Sequence, residues 1–484
     1  MLKSSVRLPL GLLCAALLLG SCQQKLATAV DLTSTAEAKE SPAAVSWWLT
    51  TPDGAALLSQ QAALSFKERE STNSNIIVDD SKTYQTMDGF GYTLTGGSAQ
   101  VLHQMSPAAR AALLKELFGT GEKSIGISYL RVSIGASDLN DHVFSYDDLP
   151  AGQTDSSMAH FSLDPDREAL IPVLKEILDI NPAIKILGSP WSAPVWMKTN
   201  HDTRGGSLKP EYQEAYARYF VRYIQEMKAE GIPIDAVTIQ NEPLHPGNNP
   251  SMLMLPEQQK SFIKQNLGPA FKAANINTKI LLYDHNLDRP DYPISILDDP
   301  EARQYVDGSA FHLYAGTIDV MSQVHDAYPD KKLYFTEQWV SSDPGTLEAN
   351  LDWHIRNLII GAPRNWSSTV LEWNLAADQN QEPHTDRGGC NMCLGALTIA
   401  GEQVTRNPAY YIIAQASKFV RPGAVRIAST MPESLPNVAY KTPAGNKVLI
   451  VLNANKASQT VTFSNNGRSV SAALPGGAVG TFVW

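Results

Sequence analysis

From Gly89 onward the chain alternates short apolar, β-branched runs with longer amphipathic ones. The strand candidates are Gly89–Leu94, Ser128–Ile134, Ile184–Gly188, Ala236–Gln240, Lys279–Tyr283, Ser309–Leu313, Lys332–Thr336 and Thr369–Trp373. Helical stretches such as Ala108–Phe118 and Arg167–Ile180 separate them. The clearest is Glu211–Glu230, where Tyr212, Tyr216, Tyr219, Tyr223 and Met227 recur at three- and four-residue spacing on one helical face. Gly231-Ile232-Pro233 then ends that helix. Eight strand–helix units over roughly 330 residues predict a (β/α)8 TIM barrel with enlarged loops.

The pattern changes after a helix near Asn407–Phe419. Short alternating strands follow at Val438–Tyr440, Lys447–Leu452, Gln459–Phe463, Ser469–Ala473 and Val479–Trp484, punctuated by Gly-, Pro- and Asn-rich turns. They predict a small antiparallel β-sandwich, thin on five strands alone. Before Gly89 the chain shows a helix-like patch over Ala55–Phe66, then a hairpin: Asn75–Val78, an Asp79-Asp80 turn and Thr83–Thr86. These N-terminal strands are expected to complete the sandwich. The expected division is therefore 46–88 as sandwich strands, 89–418 as barrel and 419–484 as sandwich.

The beginning changes the picture of where the protein works. Lys3 and Arg7 precede an apolar run, Leu8–Leu19, too short to span a membrane. It closes in Leu19-Gly20-Ser21-Cys22, similar to a bacterial lipoprotein signal over 1–21 with Cys22 lipidated. Residues 22–45 lack periodicity and are expected to be a flexible tether. The protein is expected to be exported and anchored to a bacterial membrane only through that lipid, on a periplasmic or outward side the sequence does not decide. The remaining cysteines, Cys390 and Cys393, suit a small disulfide in an oxidising compartment. A zinc site needs more ligands than nearby His384, and no strand precedes the pair as a redox motif requires.

The 484 residues are 43% hydrophobic and 18% charged, an ordinary globular balance, and the formal charge of −10 argues against nucleic acid as a partner. Gly89-Phe90-Gly91 lacks the spacing of a dinucleotide loop, and no serine-hydrolase elbow is present.

If the eight strands close, their carboxyl ends converge on one mouth. Arg131 and Asp138 come from the second strand, Trp191 from the third, Asn241 and Glu242 from the fourth and Asp284 from the fifth. His312 and Tyr314 come from the sixth, Glu337 from the seventh and Trp373 from the eighth. Glycosidic bond cleavage needs an acid for the leaving oxygen and a carboxylate for the oxocarbenium-like carbon, about 5 Å apart in retaining enzymes. Glu242 and Glu337, on opposite strands, fit that requirement. The indoles offer flat faces to a sugar, and Arg131, Asp138, Asn241, Asp284 and His312 offer polar contacts to its hydroxyls. No cofactor or metal is expected.

These residues resemble glycoside hydrolase family 30, the glucosylceramidase family. The matching stretches include Gly89-Phe90-Gly91, Arg131-Val132-Ser133, Ser189-Pro190-Trp191, Asn241-Glu242-Pro243, His312-Leu313-Tyr314, Thr336-Glu337 and Trp373-Asn374-Leu375. The resemblance implies a retaining β-glycosidase with Glu242 as acid/base and Glu337 as nucleophile. It implies that Asn241 bonds the sugar 2-hydroxyl, that Tyr314 steadies Glu337, and that Asp138, Trp191 and Trp373 line the −1 subsite. Two departures bear on the substrate: Thr95-Gly96-Gly97 stands where glucosylceramidases carry Thr-Asp, and a long polar loop, Asp378–Cys393, follows the eighth strand. Endo-β-1,6-glucanases belong to the same family, and a tethered lipoprotein suits polymer digestion. A β-1,6-glucan is therefore preferred over ceramide. An exo-β-glucosidase, a xylan or cellulose hydrolase, and a non-catalytic glycan-binding lipoprotein are the alternatives.

Overall fold

Eight parallel strands pair in chain order and close into a barrel, the last bonding the first. The structure is a computed structural model that describes residues 44–68 and 75–484; the expected signal, Cys22 and most of the expected tether lie outside them. In chain order the principal strands are β1 (Ala44–Thr50), β2 (Ile76–Thr86), the barrel strands β3 (Gly89–Thr93), β4 (Tyr129–Ser133), β5 (Lys185–Ser189), β6 (Ala236–Thr238), β7 (Lys279–Asn286), β8 (Val306–His312), β9 (Lys332–Glu337) and β10 (Ser367–Glu372), and then β11 (Val425–Ser429), β12 (Asn437–Lys441), β13 (Lys447–Leu452), β14 (Gln459–Asn465), β15 (Arg468–Leu474) and β16 (Val479–Val483).

The two-residue period of a strand builds the barrel interior in layers. Tyr129, Leu187, Ala236, Leu281, Ala310, Tyr334 and Leu371, one from each of seven strands, form a single buried apolar cluster. Below it, Asp88 binds Lys185 (2.6 Å) and Lys332 (3.1 Å), and Asp235 binds Lys279 (3.0 Å), closing the floor with paired charges. Two residues beyond the apolar layer the strands turn polar: Arg131, Ser189, Thr238, His312 and Thr336, all buried. The fifth barrel strand breaks the alternation. Its pairing with β8 shifts register between Tyr283 and His285, and Tyr283 and Asp284 have φ of +70° and +65°. This bulge brings Asp284, not Tyr283, into the interior.

The sandwich is stitched from both ends of the chain. β1 pairs antiparallel with β16, while β2 lies between β11 (antiparallel) and β14 (parallel). Three expectations are corrected. The expected helix-like patch consists of turns and the short strands Ser59–Gln60 and Leu64–Ser65 bonded to β1, so sheet pairing overrides helix propensity there. The expected hairpin is the one strand β2: Ile427 pairs with Thr83 and the next residue, Ala428, with Asp79. Asp79 accepts the Ser81 N–H (3.0 Å), so the turn chemistry makes a bulge against one neighbour instead of a reversal. Strand β11 and the hairpin Leu397–Ala400/Gln403–Arg406 have no counterpart in the expected strands.

The helix Pro408–Ser417 joins barrel to sandwich. Tyr92 of β3 donates its hydroxyl to Ala409 O (2.9 Å). Gln415, fully buried, donates to Thr50 Oγ1 of β1 (2.7 Å) and accepts from Thr481 Oγ1 of β16 (2.6 Å). Gln415→Leu removes both side-chain bonds, leaving Thr481 Oγ1 only the residue 415 carbonyl (3.0 Å) and Thr50 Oγ1 only the Leu58 N–H (2.8 Å), and should cost about 1–3 kcal/mol. Denaturant unfolding should show a lower midpoint, with kcat unchanged; an unaltered midpoint would show that this junction contributes nothing.

Candidate active site

The polar layer ends in a cavity of about 350 Å3 lined by Asp138, Trp191, Asn241, Glu242, His245, Asn248, His285, Asn286, Tyr314, Glu337, Trp339, Trp373 and the Cys390–Cys393 disulfide. β6 stops at Thr238, short of the expected Gln240, because the following backbone is captured by its neighbours. Asn241 N–H donates to Pro190 O (2.8 Å) and Glu242 N–H to Asp284 O (3.0 Å). Gln240 Nε2 donates to Trp191 O (2.6 Å). Glu242 itself has φ of +46°, a left-handed conformation that costs a non-glycine residue about 1–3 kcal/mol and that these bonds enforce.

Glu337 ends β9 from the other side. Its Oε2 accepts from Arg131 Nη1 (2.6 Å) and its Oε1 from the Tyr314 hydroxyl (3.0 Å). Glu242 Oε2 accepts from Asn248 Nδ2 (3.0 Å). The Oε1 atoms of Glu242 and Glu337 lie 3.5 and 3.7 Å from the same nitrogen, His312 Nδ1. That shared neighbour keeps the two carboxylates close enough to admit the ~5 Å separation of a retaining pair.

Arg131, Asp284 and His312 do not face the cavity. All three are fully buried beneath it, which corrects the expectation that they touch the sugar. Arg131 Nη2 donates to Asn241 Oδ1 (2.6 Å), Asp284 Oδ2 (2.8 Å) and Ser189 Oγ (3.2 Å). Its guanidinium lies 4.8 Å from the centre of the Trp191 ring. Asp284 also accepts from Ser189 and Thr238 hydroxyls through Oδ2, and from Thr336 (2.7 Å) and His312 Nε2 (3.0 Å) through Oδ1. With both oxygens so occupied, Asp284 holds other side chains and has no capacity left for a hydroxyl of substrate.

The charges of this layer set its titration. Burial alone would raise the Asp284 carboxyl, but the Arg131 guanidinium and the His312 hydrogen bond hold it well below the usual carboxylate range. Burial would lower His312, yet the Glu337 charge and the Asp284 contact push it up to about 9. Burial favours protonated Glu242, but the His285 and His312 imidazoles hold its carboxyl below the ordinary range. Those imidazoles approach Glu242 at 3.7 and 3.5 Å, too far for hydrogen bonds, so the cause is charge attraction. Asp138 goes the other way: burial first, then the Glu337 and Glu242 charges, push it up to about 7.

Trp191 and Trp373 stack with centroids 5.3 Å apart and form one wall with Leu139 and Cys393. The long loop that closes this wall is pinned: Thr385 N–H donates to Asp138 O (2.9 Å), Asn249 Nδ2 to Asp386 Oδ1 (2.9 Å), and Arg387 pairs with Asp202 (3.0 Å). Cys393-Leu394 adds a short strand to Val340-Ser341. The expected residues Asp138, Trp191, Asn241, Glu242, Tyr314, Glu337 and Trp373 thus share one cavity wall, as do Cys390 and Cys393. Of the other lining residues, His285, Asn286 and Trp339 stand beside the strand ends expected at the mouth, whereas His245 and Asn248 were not expected there. Asn248 lies in Pro246-Gly247-Asn248-Asn249-Pro250, whose composition marks a turn but not its direction.

Known proteins share both the barrel and the sandwich. The model of the glycosyl hydrolase family 30 TIM-barrel domain matches residues 87–420, and that of the family 30 beta sandwich domain matches 423–482. An endo-1,6-beta-D-glucanase of Neurospora crassa is 36% identical over 404 residues, covering 81% of each chain. The lysosomal acid glucosylceramidase of Mus musculus is 29% identical over 447 residues, 86% of this chain and 84% of its own. Among solved structures, the endo-beta1,6-glucanase BT3312 superimposes with a TM-score of 0.85 at 36% identity, covering 91% of this chain and 99% of its own. With a matching barrel, a matching sandwich and relatives aligned through both, the chain belongs to glycosyl hydrolase family 30.

Proposed function

We propose that the protein is a retaining endo-β-1,6-glucanase in which Glu337 is the nucleophile and Glu242 the acid/base. The observation that carries the mechanism is the pair of glutamates facing one imidazole beneath a cavity walled by tryptophans. Likeness to endo-1,6-β-glucanases over most of the chain supports the substrate. In the first step a Glu337 oxygen bonds the anomeric carbon while the C–O bond to the leaving sugar breaks. The leaving oxygen takes the Glu242 proton. In the second step water attacks that carbon, gives its proton to Glu242 carboxylate, and the bond to Glu337 breaks. Asn241, held by Arg131 through Oδ1, keeps its Nδ2 for a sugar hydroxyl.

Glu242 must carry a proton in the first step although its carboxyl is held low. His312 supplies the balance. Its Nε2 donates to Asp284, leaving Nδ1 toward Glu242 and Glu337, and one proton serves the Glu242–His312 pair as a unit. Release of that proton on raising the pH removes the acid, so the alkaline limb of kcat/KM follows the raised His312, near 9.

Export with Cys22 lipidated is part of this proposal. The sequence pattern supports it, as does the Cys390–Cys393 disulfide, which suits an oxidising compartment. The alternative reading is a glucosylceramide substrate, supported by the lower likeness to glucosylceramidases.

Product profiles on β-1,6-glucan, laminarin, xylan and glucosylceramide decide between these readings. Gentio-oligosaccharides from β-1,6-glucan are expected, and ceramide release without them would overturn the glucanase. Glu337→Gln and Glu242→Gln should each lower kcat by orders of magnitude, and a 2-fluoro glycoside should label Glu337. Full activity in either variant would refute its role. His312→Asn should move the alkaline limb of kcat/KM to lower pH, because the catalytic proton then leaves a lone carboxyl instead of a carboxyl–imidazole pair that releases it near 9. An unmoved limb would separate His312 from the acid.

A further inference from the structure

Glu242, His285 and His312 each present one ligand atom within 4.8 Å of the other two, and all three are buried. The imidazole nitrogens of this cluster are unspent: neither His285 Nδ1 nor His312 Nδ1 has a hydrogen-bond partner. A buried, unpartnered ring nitrogen is unfavourable, and two of them converging on one carboxylate oxygen is not a solvation pattern. Glu242 Oε1 lies 3.7 Å from His285 Nδ1 and 3.5 Å from His312 Nδ1. Tetrahedral zinc, with metal–ligand bonds of about 2.0–2.2 Å, spaces its ligand atoms roughly 3.3 Å apart, so a small inward movement completes the set.

The surroundings are those of a prepared ligand set. His312 Nε2 donates to Asp284 Oδ1 (3.0 Å), so the nitrogen facing Glu242 is Nδ1, which ligates an ion once the ion displaces the proton held between them. A carboxylate behind a ligating imidazole orients the ring and raises its basicity. Asn248 Nδ2 bonds Glu242 Oε2 and so turns Oε1 toward the imidazoles. Glu242 and His285 line the cavity, leaving a fourth position open to water or a sugar oxygen. Two imidazoles and one carboxylate select borderline ions over calcium or magnesium, which demand oxygen ligands.

We propose that Glu242, His285 and His312 form a binding site for a borderline divalent metal such as Zn2+, and that its occupancy reversibly blocks hydrolysis. A metal-bound Glu242 carboxylate can neither donate nor accept the catalytic proton, and the ion stands in the path of the leaving sugar. The blocking half rests on Glu242 being the acid/base; the binding half does not.

Chelator-stripped full-length protein titrated with zinc sulfate should bind one ion in a saturable step that His285→Ala and His312→Ala each weaken at least tenfold. Cobalt(II) should give the visible absorption of a four-coordinate ion in the parent and lose it in His285→Ala. Hydrolysis should be inhibited competitively with substrate, restored by EDTA, and unaffected by calcium. The ratio of rates with and without zinc should rise toward one in His285→Ala, which reads resistance independently of that variant's own activity. No saturable zinc binding, no four-coordinate cobalt spectrum, or unchanged affinity in both histidine variants would overturn the site. Zinc bound at these residues by a protein whose Glu242→Gln variant stays fully active would leave the site standing and remove only the catalytic reading.

Discussion

Everything at the mouth depends on Asp284 staying ionised in a place no water reaches. It accepts from Arg131, His312, Ser189, Thr238 and Thr336, side chains delivered by five of the other barrel strands. A buried carboxylate is tolerated only when hydrogen bonds and opposite charge replace its hydration, and here they are replaced fully. The same bonds fix Arg131 and His312, which in turn reach Glu337 and approach Glu242. Neutralising Asp284 would therefore release the cations that organise both glutamates, without touching the cavity wall.

The positions of these side chains follow from the strand period with one exception. Counting by two from the apolar layer takes Tyr129 to Arg131, Leu187 to Ser189, Ala310 to His312 and Tyr334 to Thr336. The same count from Leu281 reaches Tyr283, whose ring instead packs on Tyr292, and only the bulge turns Asp284 inward. Local sequence does not announce that bulge.

This explains what was legible in the sequence. Periodicity located the eight barrel strands, because each is a buried apolar run bounded by polar ends. The chemistry was legible where it sits at those ends: Glu242, Glu337, Tyr314 and the tryptophans reach the cavity. The division between cavity wall and buried support was not, since Arg131, Asp284 and His312 look like the others until their partners are known. Asn248 was missed because loops are placed by tertiary bonds, here those joining the 245–250 turn to the 378–393 loop through Asn249 and Asp386. The Ile76–Thr86 strand failed for a related reason: its turn residues were identified, but which neighbour they face is a long-range fact.

The pairing of β1 with β16 sets Ser46 opposite Val483, so almost the whole polypeptide lies between two residues that share a sheet. Such a contact closes a very large loop, and its entropy is recovered only when the final strand docks. The sandwich stays incomplete until β16 is available to pair, and Thr481 reaches Gln415 on the linking helix no earlier. Completion of the sandwich then becomes a single late event in which both ends arrive together.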